Sequence, residues 1–341
     1  MLSGDYPYLE LAIHNGNYYV SFPPVPSIPM LLWTLIWGNH VPGGLFQKLY
    51  IAAVCLIILS ELLRDGHMKW QHCAAWAFLF CFASAMLPIT LVGAVWYEAQ
   101  ILAFLFSISA IVAIRRNRPT LACLWYALAV GCRPFSVCLG PVLLVMYLEA
   151  HRSKLRTALR RLIPGLCVGL VIAACYGAYN YIRFGNPFEF GHNFLPEFTR
   201  AEHGQLSLHY VLKNLPTLFF GSPVSLNGET PALNQFGFSM FLSCPILICS
   251  VIWFVQDAAR KQLTPAKWII LMMAAVNTFL LLMHRTLGGH QFGMRYALEL
   301  IPLCFAYLLL SPNRCKMRCW EWFLLLFGLI FNLVGGIFVH V

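Results

Sequence analysis

Residues 14–26 read HNGNYYVSFPPVP, a polar and aromatic stretch that ends in a proline cluster directly before an apolar run. Proline lacks a backbone N–H and its ring clashes with the preceding helical turn, so no helix can pass through Phe22 to Pro26. Beside a membrane, non-helical backbone is tolerated only where it is buried in protein or lines a watery cavity. The stretch therefore predicts an ordinary ordered loop or the wall of a cavity, and the later motifs favour the cavity.

The composition is typical of a membrane protein. Of 341 residues, 60% are hydrophobic and 11% are charged, whereas soluble domains carry about 25% charged residues. Runs close to the roughly 20 residues that a helix needs to cross the hydrocarbon lie at 47–63, 71–91, 97–114, 162–182, 236–256, 268–284, 295–311 and 320–341. The sequence predicts an all-α fold, a polytopic transmembrane helical bundle of about eight full spans in a single domain over residues 1–341.

Three segments predict departures from simple spans. The run 119–149 is too long for one span and is broken by GCRP at 131–134, which predicts a broken-helix hairpin, two half-length helices that meet at the buried Arg133. The run 28–37 is short and predicts a re-entrant or interfacial segment. Residues 206–220 predict a short amphipathic helix on the membrane surface, interrupted at Pro216.

The basic residues predict the orientation. Most of the 23 Lys and Arg lie in five short loops between apolar runs. One order of membrane crossings places all five loops in the cytoplasm, as the positive-inside rule expects. It requires that the run 119–149 enters and leaves the membrane on the same side. This distribution argues against nucleic-acid binding, which the net charge of +10 would otherwise suggest. The chain is then a plasma-membrane protein whose outer face carries the long loops 1–27 and 183–235 and the short turns 92–96 and 285–294.

Two residues near predicted helix ends each have two interpretations. Glu98 lies at the mouth of the helix 97–114, where a carboxylate needs a partner or water. It is a general base or metal ligand, or a helix-start acid that suits the helix dipole. Arg133 keeps its charge when buried, so it binds an anion such as a phosphate, or it bonds the orphan carbonyls of a half-helix.

Two further arginines are predicted at the outer headgroup level. Arg183 is placed where planar guanidinium groups bind a lipid phosphate, although interfacial snorkelling beside aromatic residues is the common alternative. Arg295 follows a Gly-Gly-His turn and begins the next span. It pairs with Glu299 one helical turn deeper, or else Arg295 or His290 faces a phosphate.

Three stretches in order along the chain resemble the GT-C class of integral-membrane glycosyltransferases. They read NGNYYV at 15–20 with FPP at 22–24, YIRFGNPFEFG at 181–191 and GGHQFGMRY at 288–296, and CRP at 132–134 supports them. The resemblance is greatest to bacterial relatives of the protein O-mannosyltransferase and aminoarabinose-transferase type. No Walker loop or nucleotide-binding glycine fingerprint is present, so a lipid-carrier donor is favoured over a nucleotide sugar.

The resemblance implies a sugar donor linked to a polyprenyl phosphate and used on the outer face, with inversion at the anomeric carbon. The acceptor is a glycan, a lipid or a protein. An acidic residue takes the proton of the acceptor hydroxyl, in some members with a divalent metal such as Mg²⁺ or Mn²⁺. Cations stabilise the departing lipid phosphate, where negative charge grows in the transition state.

The family's catalytic acid lies in the first outer loop after a first transmembrane helix, which we expect upstream of Met1. Asp5 or Glu10 is then that acid, or the acid also lies upstream and Glu98 is the surviving candidate. The candidate substrate-binding residues are Arg183, Arg295, His290, Arg133, Tyr18, Tyr19 and Asn180. The candidate metal ligands are Glu98 and His14.

Two other functions stay open at this point. A membrane transporter or flippase of a lipid-linked or small polar substrate also builds sites from broken helices such as 119–149. Against it, we find no internal repeat, and the polar motifs crowd one face. A non-catalytic scaffold or truncated remnant is the third possibility, if the catalytic acid lies upstream of Met1 together with the expected first helix.

Overall fold

The computed structural model describes residues 11–38, 40–227, 230–314 and 316–340, and for residues 226, 227, 230, 231 and 340 it describes the backbone alone. Helices make up most of this part of the chain, together with two small β-hairpins. The predicted candidates Asp5 and Glu10 lie outside the described residues.

The helices follow one another with short connections. In chain order they are α1 (Ser27–Trp37), α2 (Gly43–Asp65), α3 (Trp70–Phe82), α4 (Met86–Leu91), α5 (Val95–Arg115), α6 (Pro119–Val130), α7 (Leu139–Ala150), α8 (Leu155–Phe184), α9 (Pro196–Thr199), α10 (His209–Phe220), α11 (Met240–Ser243), α12 (Ile246–Ala259), α13 (Pro265–Met283), α14 (Ile301–Leu309) and α15 (Cys319–His340). Short 3₁₀ helices lie at Pro134–Cys138, Arg152–Lys154, His192–Phe194 and Arg295–Leu300.

Five helical segments of the described chain are long and apolar enough to cross a membrane. They are α2, α5, the segment Arg152–Phe184 that contains α8, α13 and the Cys319–Val339 part of α15. This agrees with the predicted all-α membrane protein. The core packs chiefly around α5, whose apolar side chains are almost all buried.

The prediction of eight uninterrupted spans is not confirmed, because three of them are divided. The run 71–91 forms α3 and α4, the run 236–256 forms α11 and α12, and the run 295–311 forms a 3₁₀ helix followed by α14. At the first break the Ser84 hydroxyl accepts the Met86 N–H at 3.2 Å. Pro245 directly precedes α12, and proline cannot donate the hydrogen bond that would continue a helix across the break.

The broken-helix hairpin is present as predicted. Helices α6 and α7 are separated by Gly131, Cys132 and Arg133 and by the 3₁₀ helix that begins at Pro134. Arg133 has an extended backbone, as expected for a residue that precedes proline. Helix α6 packs against α5 and α8, while α7 packs against α13, so the break lies among three of the longest helices.

The N-terminal stretch forms a hairpin that the sequence reasoning did not predict. Strand β1 (Leu11–His14) pairs antiparallel with β2 (Asn17–Val20). Asn15 and Gly16 connect them at φ values of 49° and 74°, and Asn-Gly is the strongest two-residue hairpin signal. As predicted, the segment from Phe22 to Pro26 is not helical, and α1 begins at Ser27.

The long segment 183–235 carries the predicted surface helix as α10 and ends in a second hairpin, β3 (Val224–Asn227) with β4 (Thr230–Leu233). The predicted interruption at Pro216 was wrong, because α10 runs through this residue. Tertiary contacts offset the lost hydrogen bond: the Asn214 side chain donates to the carbonyls of Leu282 and His284 at 3.0 and 2.7 Å.

The basic ends of α2 and α5 meet at one end of the bundle. The fully buried Glu61 accepts from Arg116 Nε at 2.8 Å and lies 3.5 Å from Arg115 Nε, and Arg115 also pairs with Asp65. The first two predicted basic loops are therefore neighbours, as expected if all basic loops lie on one side of the membrane.

Candidate functional site

One cavity of about 550 Å³ brings the sequence motifs together. Residues of the N-terminal stretch, the hairpin break, the loop after α8 and the segment after α13 all contribute to its wall. The lining residues used below are Ser21, Phe22, Arg133, Phe188, Glu189, His192, Glu197, His284, His290, Arg295, Tyr296 and Glu299. Stretches that are far apart in sequence thus share one chamber.

The cavity lies at the helix ends opposite to the basic loops. Helix α5 begins beside the cavity, with Trp96 and Ala99 in the wall, and ends at Arg115. Helix α13 begins next to its basic loop and ends one residue before His284 in the wall. The charged loops and the cavity are therefore separated by the length of these helices.

Two arginines flank one tyrosine in the cavity wall. The guanidinium carbons of Arg133 and Arg295 lie 4.8 and 5.2 Å from the centre of the Tyr296 ring, within the range of cation–π attraction. Arg295 is only 8% exposed and donates from Nη2 to the Gly288 carbonyl. Its Nε and Nη1 have no hydrogen-bond partner. A buried guanidinium stays charged, so these free donors favour an anion nearby.

Arg133 forms an ion pair that the sequence did not predict. Its Nε donates to Glu299 Oε1 at 2.8 Å. The predicted pair between Arg295 and Glu299 was wrong, because Arg295–Leu300 is a 3₁₀ helix. With three residues per turn, side chains four positions apart point about 120° away from each other. Glu299 therefore turns away from Arg295 and meets Arg133 of the hairpin break.

Two other carboxylates line the cavity. Glu189 accepts from the Gly191 N–H at 2.7 Å and from Asn193 at 2.9 Å, so both of its oxygens hold the loop after α8 in place. Glu197 is half-buried, and this burial raises its pKa against the opposing effect of the Arg285 charge. Glu197 is therefore the better placed of the two to take a proton.

Two histidines in the wall are neutral at pH 7. Burial lowers the pKa of His192 to about 4, and the charge of Arg133 adds to this effect. Burial likewise lowers the pKa of His284 to about 4, although its hydrogen bond with Thr286 acts in the opposite direction. Neutral imidazoles offer one donor and one acceptor to a ligand without adding charge.

Of the predicted binding residues, Arg133, Arg295 and His290 line the cavity. Arg183, Asn180, Tyr18 and Tyr19 are not among the lining residues. Arg183 donates to the Val20 carbonyl at 2.8 Å and to Asn180 Oδ1 at 3.2 Å, and it covers the Tyr179 ring at 3.7 Å. Tyr19 packs edge-on against Phe184. These contacts join the N-terminal hairpin to the end of α8.

The predicted acid Glu98 lies behind the wall. It is 1% exposed and its Oε1 has no hydrogen-bond partner, whereas the adjacent Ala99 reaches the cavity. His14 packs against the Phe194 ring at 4.4 Å. Within the described ranges, no group of three or more His, Cys, Asp or Glu side chains is arranged to hold a metal. The predicted Mg²⁺ or Mn²⁺ stays a prediction.

Sequence reasoning missed His192, His284 and Glu299 as cavity residues. Each lies within four residues of a quoted motif or of a candidate arginine, so proximity to the motifs was the available signal. Comparison with known proteins adds no assignment: no protein-family model, curated protein or solved structure matches the chain. The function is therefore argued from the cavity and its charged residues.

Proposed function

We propose that this chain is a membrane glycosyltransferase. It transfers a sugar from a polyprenyl-phosphate-linked donor to a glycan, lipid or protein acceptor on the extracytoplasmic face, in keeping with the sequence resemblance. The observation that carries the proposal is Arg295, a buried guanidinium in the cavity wall whose Nε and Nη1 atoms have no hydrogen-bond partner.

The size and surroundings of the cavity support a lipid-linked donor. A volume of about 550 Å³ lies within the range of about 300–1,000 Å³ that is typical of small-molecule sites. Phe188 lines the cavity and is also largely exposed, so the rim offers an aromatic contact on its outer side. In this proposal the sugar phosphate enters the cavity, and the prenyl chain stays among the apolar helices.

The reaction needs a cation at the phosphate and a base at the acceptor. The acceptor hydroxyl oxygen attacks the anomeric carbon, and the bond from that carbon to the phosphate oxygen breaks. The electron pair leaves with the phosphate, which gains one negative charge, and the hydroxyl proton moves to a carboxylate. Arg295 and Arg133 stabilise the growing charge. Glu197 is the cavity carboxylate that we assign to the proton, since burial raises its pKa.

The test is transfer from a radiolabelled polyprenyl-phosphate sugar by purified protein in liposomes. Loss of one donor to a developing oxyanion costs about 10²–10³-fold in turnover, so Arg295→Ala should lose activity on that scale. Arg200→Ala is the matched control, because Arg200 is an exposed arginine of the loop after α8 and is not among the lining residues of the cavity. Equal activities of the folded Arg295→Ala protein and the wild type would refute the assigned role.

A transporter or flippase is the second candidate, and the hairpin break favours it. Helices α6 and α7 are half-length segments that meet at Arg133 in the cavity wall, and transporters use such discontinuous helices at their substrate sites. The same liposomes separate the two functions. Movement of the labelled lipid across the bilayer without a covalent product would support transport and exclude the transferase.

A further inference from the structure

A second, much smaller chamber lies beside the cavity. Its volume is about 10 Å³, close to the space that one water molecule or one small ion occupies. Five oxygen-bearing side chains on four segments of the chain contribute to its lining. They are Gln100 and Ser107 of α5, Ser136 of the 3₁₀ helix after the break, Asn277 of α13, and Glu299.

Three oxygens around this chamber have no hydrogen-bond donor. They are Gln100 Oε1, Asn277 Oδ1 and Glu299 Oε2. All three side chains are more than nine-tenths buried. Asn277 Nδ2 donates to the Phe135 carbonyl at 3.3 Å, which assigns the free position to the amide oxygen. Buried acceptors without donors are costly, so their convergence on one chamber points to a ligand.

We propose that the chamber binds one sodium ion. Five lining side chains carry an oxygen, one of them a carboxylate, and oxygen ligands suit hard cations. A cation attracts all of these oxygens at once, whereas a bound water molecule would give no response to sodium, so the titration below separates the two occupants. The single carboxylate already pairs with Arg133 through its other oxygen, so the site lacks the negative charge that a divalent ion requires.

The chamber and the cavity share Glu299. Its Oε1 pairs with Arg133 in the cavity wall, and its Oε2 is one of the three oxygens around the chamber that have no hydrogen-bond donor. A cation at Oε2 adds one positive charge next to Arg133. By linkage, sodium then raises the affinity of the cavity for an anion, and the anion raises the affinity for sodium by the same factor.

The test is the midpoint of thermal unfolding of the full chain in nanodiscs, titrated with sodium chloride against choline chloride at equal ionic strength. A ligand that binds the folded state alone stabilises it by mass action, and we expect a saturable rise of about 2–4 °C with sodium. Asn277→Ala and Ser107→Ala should remove the rise.

Asn332→Ala is the matched control. Asn332 is also fully buried and its Oδ1 also has no partner, but it lies outside the chamber, so this variant should keep the sodium response. Equal midpoints of the wild type in sodium and choline would overturn the proposal, as would a full response in Ser107→Ala. Since the readout is stability, a failure here leaves the transferase proposal standing, and the reverse also holds.

Discussion

The ion pair between Arg133 and Glu299 can be tested by a double-mutant cycle of Arg133→Met, Glu299→Leu and the combined variant. The two side chains are 18% and 3% exposed, and the pair is 2.8 Å long. Removing one partner of a buried pair costs about 3–5 kcal/mol, because the other charge stays buried without compensation. Replacing both partners by apolar groups avoids that cost.

The structure also predicts that the two single variants lose different amounts of stability. Without Glu299, Arg133 keeps its contact with the Tyr296 ring at 4.8 Å and some contact with the open cavity. The loss of stability in Glu299→Leu should therefore be near 3 kcal/mol, the lower end of the range of about 3–5 kcal/mol. Without Arg133, neither oxygen of the more deeply buried Glu299 has a donor. We therefore expect Arg133→Met to lose close to 5 kcal/mol of stability, the upper end of the same range of about 3–5 kcal/mol.

The assay is unfolding of each variant in the same nanodiscs, in choline chloride, so that sodium does not bias proteins that contain Glu299. The combined variant should be more stable than the sum of the single costs predicts, with a coupling energy of about 0.5–3 kcal/mol or more. Additive costs would show that the pair contributes nothing. A larger cost for Glu299→Leu than for Arg133→Met would refute the asymmetry argument.

Two further predictions concern stability. Since burial lowers the pKa of His284 to about 4 and an unfolded histidine titrates near about 6.5, the unfolded state binds more protons between these values. His284 alone should lower the stability by about 3 kcal/mol from pH 6.5 to pH 4, and His192, whose pKa is also about 4, should add a fall of its own. His284→Gln should therefore make the pH profile of unfolding less steep over this interval. A methyl group on Gly335 would lie 1.9 Å from the Phe292 ring, so Gly335→Ala should cost about 1–3 kcal/mol by overpacking. Gly169 has no atom within 4 Å of the same position, and Gly169→Ala should be neutral or stabilise by about 0.4–1 kcal/mol; equal effects of the two alanines on the unfolding midpoint would contradict the packing argument.

Local chemistry predicted the features that depend on near neighbours in sequence. Pro134 ends the first half-helix because of its own covalent geometry, and the break at Arg133 follows. The Asn15-Gly16 turn carries an equally local signal for a hairpin, whereas the prediction of a loop rests on the proline cluster that follows it. By contrast, the division of the run 71–91 at Ser84 has no strong breaker in the sequence, since alanine, serine and phenylalanine are all compatible with a buried helix.

The partners of the charged residues could not be predicted in the same way. Arg133 and Glu299 are 166 positions apart in sequence, and only the folded chain places them together. The spacing of an α-helix suggests Arg295 as the partner of Glu299. The segment is a 3₁₀ helix instead, so the two side chains point in different directions. The motifs thus identified the arginines of the cavity, while the tertiary structure assigns which one is paired and which one keeps free donors.

Arg183 supports the wall of the cavity without lining it. A guanidinium at the predicted headgroup level suggested direct phosphate binding. The structure instead directs Arg183 to the Val20 carbonyl at 2.8 Å and over the Tyr179 ring. Val20 directly precedes Ser21 and Phe22, which line the cavity. Arg183 therefore ties the end of β2 to α8 next to the cavity wall, so in the proposed mechanism its effect passes through the hairpin, whereas Arg295 faces the cavity directly.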